Sequence, residues 1–231
     1  MPDILKYILY IIACYLVGSI PMAYLVVKWR YRVDIRQYGS GGVGAGNIFR
    51  SFSKLLAMPV FIYDVGKGTF MVWIAHVLGM NWNMEILSGI AVVAGHNWPV
   101  FLRFNAGRGL ATTIGVEAYL FPFGILIFVS GAIFTLLLGS SPLPTLVGIG
   151  AIPLASWLRG EPLALSLGTL ALFLVLIFRR LSAPLTARSR TIGKKELFLN
   201  RLLFDRDIRD GKAWITVKPL VPHKLKKSEK N

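Results

Sequence analysis

Residues that could form a disulfide or hold a metal ion are scarce in this chain. Its 231 residues include one cysteine, Cys14, and three histidines, at positions 76, 96 and 223. A single cysteine excludes an internal disulfide and a cysteine-based metal site, and three histidines leave little for a histidine cluster. We therefore expect no bound metal.

Charged residues are also few. They make up 16% of the chain, against about 25% in a typical soluble domain. Apolar residues reach 55% and the mean hydropathy is +0.60, which excludes a disordered chain, a fibrous repeat and an ordinary soluble domain. The net charge of +15 would suggest nucleic acid in a soluble protein. In a chain this apolar it indicates cytoplasmic loops of a membrane protein, so we predict no nucleic-acid partner.

Long apolar runs predict a bundle of membrane-spanning helices. A bilayer core about 30 Å thick needs about 20 apolar residues per helix, and residues 7–27 form 21 residues without a charge. We predict an all-α integral membrane protein with seven transmembrane helices. The predicted spans cover residues 7–27, 55–80, 86–102, 111–121, 123–139, 143–158 and 163–179.

The positions of the basic residues predict the orientation. Six lie in the 28–54 loop, two in the 103–108 loop and fifteen in residues 179–231. Because basic loops face the cytoplasm, we expect the glycine-rich loops and the C-terminal tail inside and the N-terminus outside. This requires an odd number of spans, so we predict a break at Pro122, where proline removes a helix hydrogen bond.

The pattern divides the chain into a transmembrane domain, residues 1–180, and a basic cytoplasmic tail, residues 181–231. Apolar side chains recur near helical spacing in the tail among lysines and arginines, which predicts an amphipathic helix. They are Leu197, Phe198, Leu202, Phe204 and Ile208. The helix either lies on the anionic inner leaflet or packs on the cytoplasmic end of the bundle.

A glycine-rich loop follows the first span. Five of the eight residues from Gly39 to Gly46 are glycine, which lets the backbone turn its N–H groups towards an anion. Ser40, Asn47 and Arg50 add side-chain donors. The loop also matches the dinucleotide pattern G-x-G-x-x-G, but no βαβ unit precedes it. We favour phosphate binding, with Gly39, Ser40, Gly41, Asn47 and Arg50 as ligands, over a flexible linker.

A second anion site is predicted at residues 95–109. Gly107-Arg108-Gly109 places an always-charged guanidinium beside the free N–H groups at the start of a helix. Ordinary loop charge explains Arg103, but it does not explain why Arg108 is flanked by glycines.

Three ionisable residues lie within or near the ends of predicted spans. Asp64 and Lys67 are three residues apart on one helix face and form either a functional pair or a clamp between helices. His96 lies near the inner end of the third span and serves either as a packing residue or as a base.

Four ordered blocks, covering about 100 residues, resemble the acyl-phosphate:glycerol-3-phosphate acyltransferase family of bacterial membranes. The blocks are Gly18-Ser19-Ile20-Pro21; Gly39-Ser40-Gly41 with Asn47 and Arg50; Tyr63-Asp64 with Lys67-Gly68; and Gly95-His96 with Trp98-Pro99-Val100-Phe101 and Gly107-Arg108-Gly109. The family is a small seven-span protein with an outside N-terminus and a cytoplasmic active site.

The resemblance implies transfer of a fatty acyl group from acyl phosphate to the 1-hydroxyl of glycerol 3-phosphate. The expected products are lysophosphatidate and phosphate, with no metal or coenzyme A. It also implies a monomer in the bacterial inner membrane. Ser40 and Arg50 match first-loop substrate residues, Arg108 stands where the family usually has lysine, and Ser141 matches a serine in a later cytoplasmic turn. We take Ser40, Arg108 and His96 as candidate catalytic residues, with Asp64 and Lys67 as supporting charges.

The family's third signature, His-x-x-Asn-x-x-Arg after the last span, has no match in this chain. The aligned positions hold Arg180, Ala183 and Thr186. Arginine does not act as a base at neutral pH, so either a substrate phosphate oxygen or His96 accepts the proton. The alternatives are a divergent paralogue with altered or lost activity, a transporter or binding protein for a phosphorylated lipid or anion, and a scaffold acting through its basic tail.

Overall fold

The computed structural model describes residues 2–137, 142–183, 189–211 and 214, and within them every regular element is helical. The α-helices are α1 (Pro2–Gly18), α2 (Met22–Tyr31), α3 (Ala45–Ser51), α4 (Lys54–Val77), α5 (Trp82–Asn97), α6 (Leu110–Leu120), α7 (Phe123–Leu137), α8 (Leu143–Leu158), α9 (Leu163–Leu181) and α10 (Lys194–Phe204). Short 3₁₀ turns cover Ile35–Gln37, Val100–Leu102 and Ser189–Thr191.

Three segments of the described chain are long and apolar enough to cross a membrane: Ile4–Tyr31, Lys54–Val77 and Leu163–Leu181. The helices α6, α7 and α8 are apolar but shorter. The 11 residues of α6 extend only about 16 Å at 1.5 Å per residue. Large apolar side chains are exposed along the long helices, as expected of surfaces that face lipid. Examples are Ile4, Leu9, Leu55, Ile62, Leu167 and Phe178.

Prolines interrupt the apolar runs. The break at Pro122 is present, because α6 ends at Leu120 and α7 begins at Phe123. The first run, predicted as one helix, is also broken, at Ser19–Pro21, where proline lacks the N–H that would continue the ladder. The helix predicted to reach Leu102 ends at Asn97, since Pro99 follows and a 3₁₀ turn replaces the last turn.

Glycines let two pairs of helices approach closely. A Cβ at Gly18 or at Gly95 would collide with a carbonyl of the opposite helix where α1 crosses α5. Gly68 and Gly115 play the same part where α4 crosses α6. Such close crossings increase van der Waals contact, the main attraction between helices in lipid. They set α4 and α5, which carry Asp64, Lys67 and His96, against α1 and α6.

A second apolar cluster joins the two glycine-rich loops. Ile48 of α3 and Val43 of the first loop are buried with Leu102 and Ala106 of the second loop and with residues of α2 and α4. The two loops therefore lie at the same end of the bundle.

The helix α10 packs on the end of α9 through polar groups. Arg201 donates from Nη1 to the carbonyl of Leu181 (2.8 Å), and Arg180 donates from Nη1 to the carbonyl of Leu202 (3.2 Å). Phe198 and Leu199 on α10 are exposed. Docking on the bundle is thus observed, and these two apolar side chains remain uncovered.

Candidate active site

The first glycine-rich loop is organised around the buried side chain of Asn47. Its Nδ2 donates to the carbonyls of Tyr38 (2.9 Å) and Gly42 (2.9 Å), and its Oδ1 accepts from the backbone N–H of Ser40 (3.2 Å) and from Ser51 Oγ (3.1 Å). The amide therefore ties the loop to α3. The sequence predicts Asn47 as a substrate ligand. In the structure, its amide group instead makes the hydrogen bonds that hold the loop in shape.

Gly39 is required by both conformation and space. Its φ is +56°, a left-handed value that residues with a side chain rarely adopt. A Cβ at this position would also collide with Ser51 Oγ and Asn47 Oδ1. Next to it, Ser40 is half-buried and its Oγ accepts from the N–H of Gly42 at 3.4 Å.

We expect Gly39→Ala to raise KM for phosphate-bearing substrates at least tenfold, because the added methyl group displaces the Asn47 amide from the loop. Gly44→Ala is the matched control. Gly44 has an extended backbone, φ −166°, and a Cβ there meets nothing within 4 Å. Steady-state kinetics on both variants check the prediction, and equal KM values would contradict it.

Asp64, Lys67 and His96 form a buried cluster between α4, α5 and the break between α1 and α2. Lys67 Nζ lies 2.9 Å from Asp64 Oδ1 and 2.9 Å from His96 Nδ1. It also donates to the carbonyls of Gly18 (3.1 Å) and Ile20 (3.5 Å) at the break between α1 and α2. The Lys67 ammonium thus joins three helices.

His96 also contacts the second glycine-rich loop. Its carbonyl accepts from the N–H of Gly107 at 3.3 Å, and a Cβ at Gly107 would overlap the imidazole at Nε2. The imidazole is therefore held between Lys67 at Nδ1 and the backbone of Gly107 at Nε2. The cluster supports the loop that carries Arg108.

Arg179, at the end of α9, holds the same loop from the other side. Its Nε donates to the carbonyl of Gly107 (2.8 Å), and its Nη2 donates to the carbonyl of Ala106 (3.2 Å). The side chain is buried. From the sequence, Arg179 was only one of the basic residues of the tail, and its position beside the third-signature region was the only available signal of a further role.

The helix α6 begins at Leu110, two residues after Arg108. Gly109 precedes the helix with φ +75°, and a Cβ there would crowd the amide of Asn97. Asn97 is fully buried, and neither of its side-chain polar atoms has a hydrogen-bond partner among the described residues. Nothing in the local sequence indicated a role for Asn97.

Arg108 makes its main contacts with the tail. Its Nη1 donates to both the backbone carbonyl and the Oδ1 of Asp205, which directly follows α10. Asp205 Oδ1 also lies 3.6 Å from Arg180 Nε. Neither contact was predicted, because the residues are 97 and 25 positions apart and nothing in the local pattern joins them.

Arg50 completes a group of positive charges around Arg108. Its guanidinium lies against the backbone of Gly46. Loss of surrounding water, and then the charges of Arg108 and Arg206, lower the pKa of Arg50, while Asp205 opposes that shift. We call Arg50, Arg108 and Arg180 the arginine cluster. Arg180 stands where the sequence comparison placed the missing histidine.

The two loops line one narrow cleft. Val43 comes from the first loop, Pro99 and Ala106 from the second, and Asp64 and His96 from the buried cluster, with the α1–α2 break as the remaining wall. Of the predicted site residues, Asp64 and His96 line this cleft. Ser141 lies outside the described residues.

Comparison with known proteins gives one family. The family model described as "Glycerol-3-phosphate acyltransferase" matches residues 8–186. Glycerol-3-phosphate acyltransferase 5 of Dehalococcoides mccartyi is 43% identical over 217 residues, covering 91% of this chain and 93% of the relative.

Two solved structures share the fold. The glycerol 3-phosphate form of PlsY (YgiH), an integral membrane glycerol 3-phosphate acyltransferase, is 29% identical with a TM-score of 0.70. Its lysophosphatidic acid form is 26% identical with a TM-score of 0.68. Each likeness covers 76% of this chain and 88% of the other.

Proposed function

This chain belongs to the glycerol-3-phosphate acyltransferase family, and from that premise we propose that it acylates the 1-hydroxyl of glycerol 3-phosphate with acyl phosphate as donor. The products are lysophosphatidate and inorganic phosphate. The enzyme is a membrane acyltransferase, and its product is an early intermediate of phospholipid synthesis.

The observation that carries the proposal is the arginine cluster beside the two glycine-rich loops. Both substrates bear phosphate, and arginine binds phosphate through a planar fork of donors. A carboxylate, Asp205, already lies against Arg108, which supports the use of this place by an anion. Holding two substrates in a reactive geometry can by itself lower a barrier by about 7–11 kcal/mol.

The attacking hydroxyl has to lose a proton, and His96 is poorly placed to take it. Its Nδ1 lies 2.9 Å from the Lys67 ammonium. Because an ammonium group can only donate, Nδ1 is already occupied as an acceptor, and the ring packs on Gly107. We assign the proton to the leaving phosphate. The hydroxyl oxygen bonds to the acyl carbon, the bond from that carbon to the phosphate oxygen breaks, and the hydroxyl proton ends on the departing phosphate. Donors of the arginine cluster stabilise the charge that develops.

We propose further that the chain crosses the bacterial cell membrane seven times as a monomer, with its N-terminus outside. The basic loops and tail support a cytoplasmic active face. Glycerol 3-phosphate then enters from the cytoplasm, while the fatty donor arrives from the bilayer along the exposed apolar helix faces.

The proposal is tested with purified protein in lipid vesicles, measuring phosphate release and lysophosphatidate formation from acyl phosphate and glycerol 3-phosphate. We expect turnover with wild type and a substantially raised KM with Ser40→Ala, since its hydroxyl belongs to the first loop. No turnover above protein-free vesicles would reject the function. Uptake of labelled glycerol 3-phosphate without product would indicate a transporter.

The same assay separates the two fates of the proton. For His96→Ala we expect lower kcat, through displacement of the Gly107 loop, with an unchanged pH dependence of kcat. Disappearance of an ionisation from the pH–rate profile would instead make His96 the base.

A further inference from the structure

Asp205 lies where the tail meets the arginine cluster. It is the C-cap of α10 with φ +56°, a left-handed conformation that aspartate adopts more readily than most other residues with a side chain. It lies outside residues 8–186, to which the family model applies. Its carboxylate contacts Arg108 and approaches Arg180 within the arginine cluster.

Contacts elsewhere in the tail bring Asp205 to the site, and the Arg108 contact adds to them in holding the segment in place. Buried Arg201 pairs with buried Asp207, Nε to Oδ1, at 2.8 Å, and Asn200 Nδ2 donates to the carbonyl of Asp207 at 3.0 Å. Arg201 also binds the carbonyl of Leu181 on α9. These contacts fold the segment that carries Asp205 back onto the bundle, so the carboxylate is delivered to the site as a tethered ligand.

We propose that Asp205 is an internal counter-ion that sets the affinity and selectivity of the site: its carboxylate neutralises the arginine cluster when substrate is absent and is displaced by a substrate phosphate. The inference rests on the proposed function, because it assumes that this cluster receives phosphate. Asp205 is thereby a specificity-determining residue rather than a catalytic one.

Charge and geometry explain why phosphate displaces a tethered carboxylate while other anions fail. A tethered group acts at an effective concentration of roughly millimolar or above. A free carboxylate offers the same single charge and two oxygens as Asp205, so it gains little on exchange. A phosphate monoester offers a charge of about −1.5 to −2 and three acceptor oxygens. The site therefore rejects fatty acids and other carboxylates that share the membrane surface with its substrates.

The counter-ion also relieves repulsion in the empty site. Arg50 and Arg180 both interact electrostatically with Arg108, and Asp205 is the acidic group that acts on all three. Without it, positive charges would face one another at the edge of a bundle with little surrounding water.

The test measures the affinity of purified protein in detergent for inorganic phosphate and for acetate, by ligand-dependent thermal stability. For Asp205→Asn we expect phosphate affinity to rise about tenfold if the carboxylate fills the site about nine-tenths of the time. Acetate, without effect on wild type, should then stabilise the variant. Glu196→Gln is the control, because it removes the same charge from an exposed position on α10 in the same tail and should leave both affinities unchanged.

Unchanged or weakened phosphate binding by Asp205→Asn would overturn the inference, since mere damage to the tail lowers affinity whereas loss of a competitor raises it. A second measurement uses wild type alone: phosphate should speed tryptic cleavage within residues 190–211, and an unchanged rate would also overturn it. Neither readout needs turnover. If both succeed while the acyl-transfer assay fails, Asp205 keeps its role and the proposed reaction is rejected.

Discussion

Arg108→Ala is expected to lower kcat/KM for glycerol 3-phosphate by about 10²–10³-fold, the loss typical of removing one preorganised donor from a developing negative charge. Arg108 lies at the centre of the arginine cluster, and it is only about one-quarter exposed, so water replaces its guanidinium poorly. Steady-state kinetics in vesicles measure the effect.

Two further variants show whether the loss belongs to this position. Arg108→Lys keeps the charge but removes the planar fork, so we expect an activity between wild type and Arg108→Ala. Arg103→Ala removes an exposed arginine of the same loop and should change kcat/KM less than threefold. Equal losses for Arg103→Ala and Arg108→Ala would mean that only the overall charge of the loop matters.

Lys67→Met is expected to destabilise the folded protein by about 3–5 kcal/mol, the usual result of removing one partner from a buried ion pair. The side chains of Lys67 and Asp64 are only 2% and 3% exposed. Without the ammonium, the Asp64 carboxylate and the carbonyls of Gly18 and Ile20 lose a shared donor. Denaturant unfolding in detergent measures the loss, and activity falls with it because His96 and the Gly107 loop shift.

A double variant isolates the pair from its surroundings. Asp64→Asn combined with Lys67→Met leaves no unpaired charge, so it should be more stable than Lys67→Met alone. Arg36→Ala breaks a surface pair with Asp34 and should cost at most about 1 kcal/mol. A double variant that loses as much as the two single variants together would show that the charges act independently.

Sequence alone located most of the helices because apolar run length is a local property. Proline marked the break before α7 correctly, and the same rule applied to Pro21 and Pro99 would have split the first run and shortened the third. The break at Pro21 was missed because 21 uncharged residues suggested one continuous helix. Its effect, two backbone carbonyls facing Lys67, depends on how α1 packs against α4.

The candidate site was predictable from the sequence only where glycine and arginine residues mark its loops. Glycine and arginine marked the two loops, while Asp64 and Lys67 were marked by their charges within an apolar run and predicted as either a functional pair or a clamp between helices. The role of the Asn47 amide within its own loop could not be predicted, because an asparagine that binds phosphate and one that binds backbone carbonyls look the same in the sequence. The contact of Asp205 with Arg108 was still harder to predict, because the two residues are 97 positions apart in the chain.

The order of residues by itself therefore determined that this is an apolar helical bundle with two glycine-rich loops and a basic tail, because hydropathy, proline, glycine and net charge act over a few residues. Only the tertiary structure decided that the tail returns a carboxylate to Arg108 and that the carbonyls at the break in the first run face Lys67. Such pairings depend on how distant helices pack, and their energy comes from burying charges together, which no local pattern records.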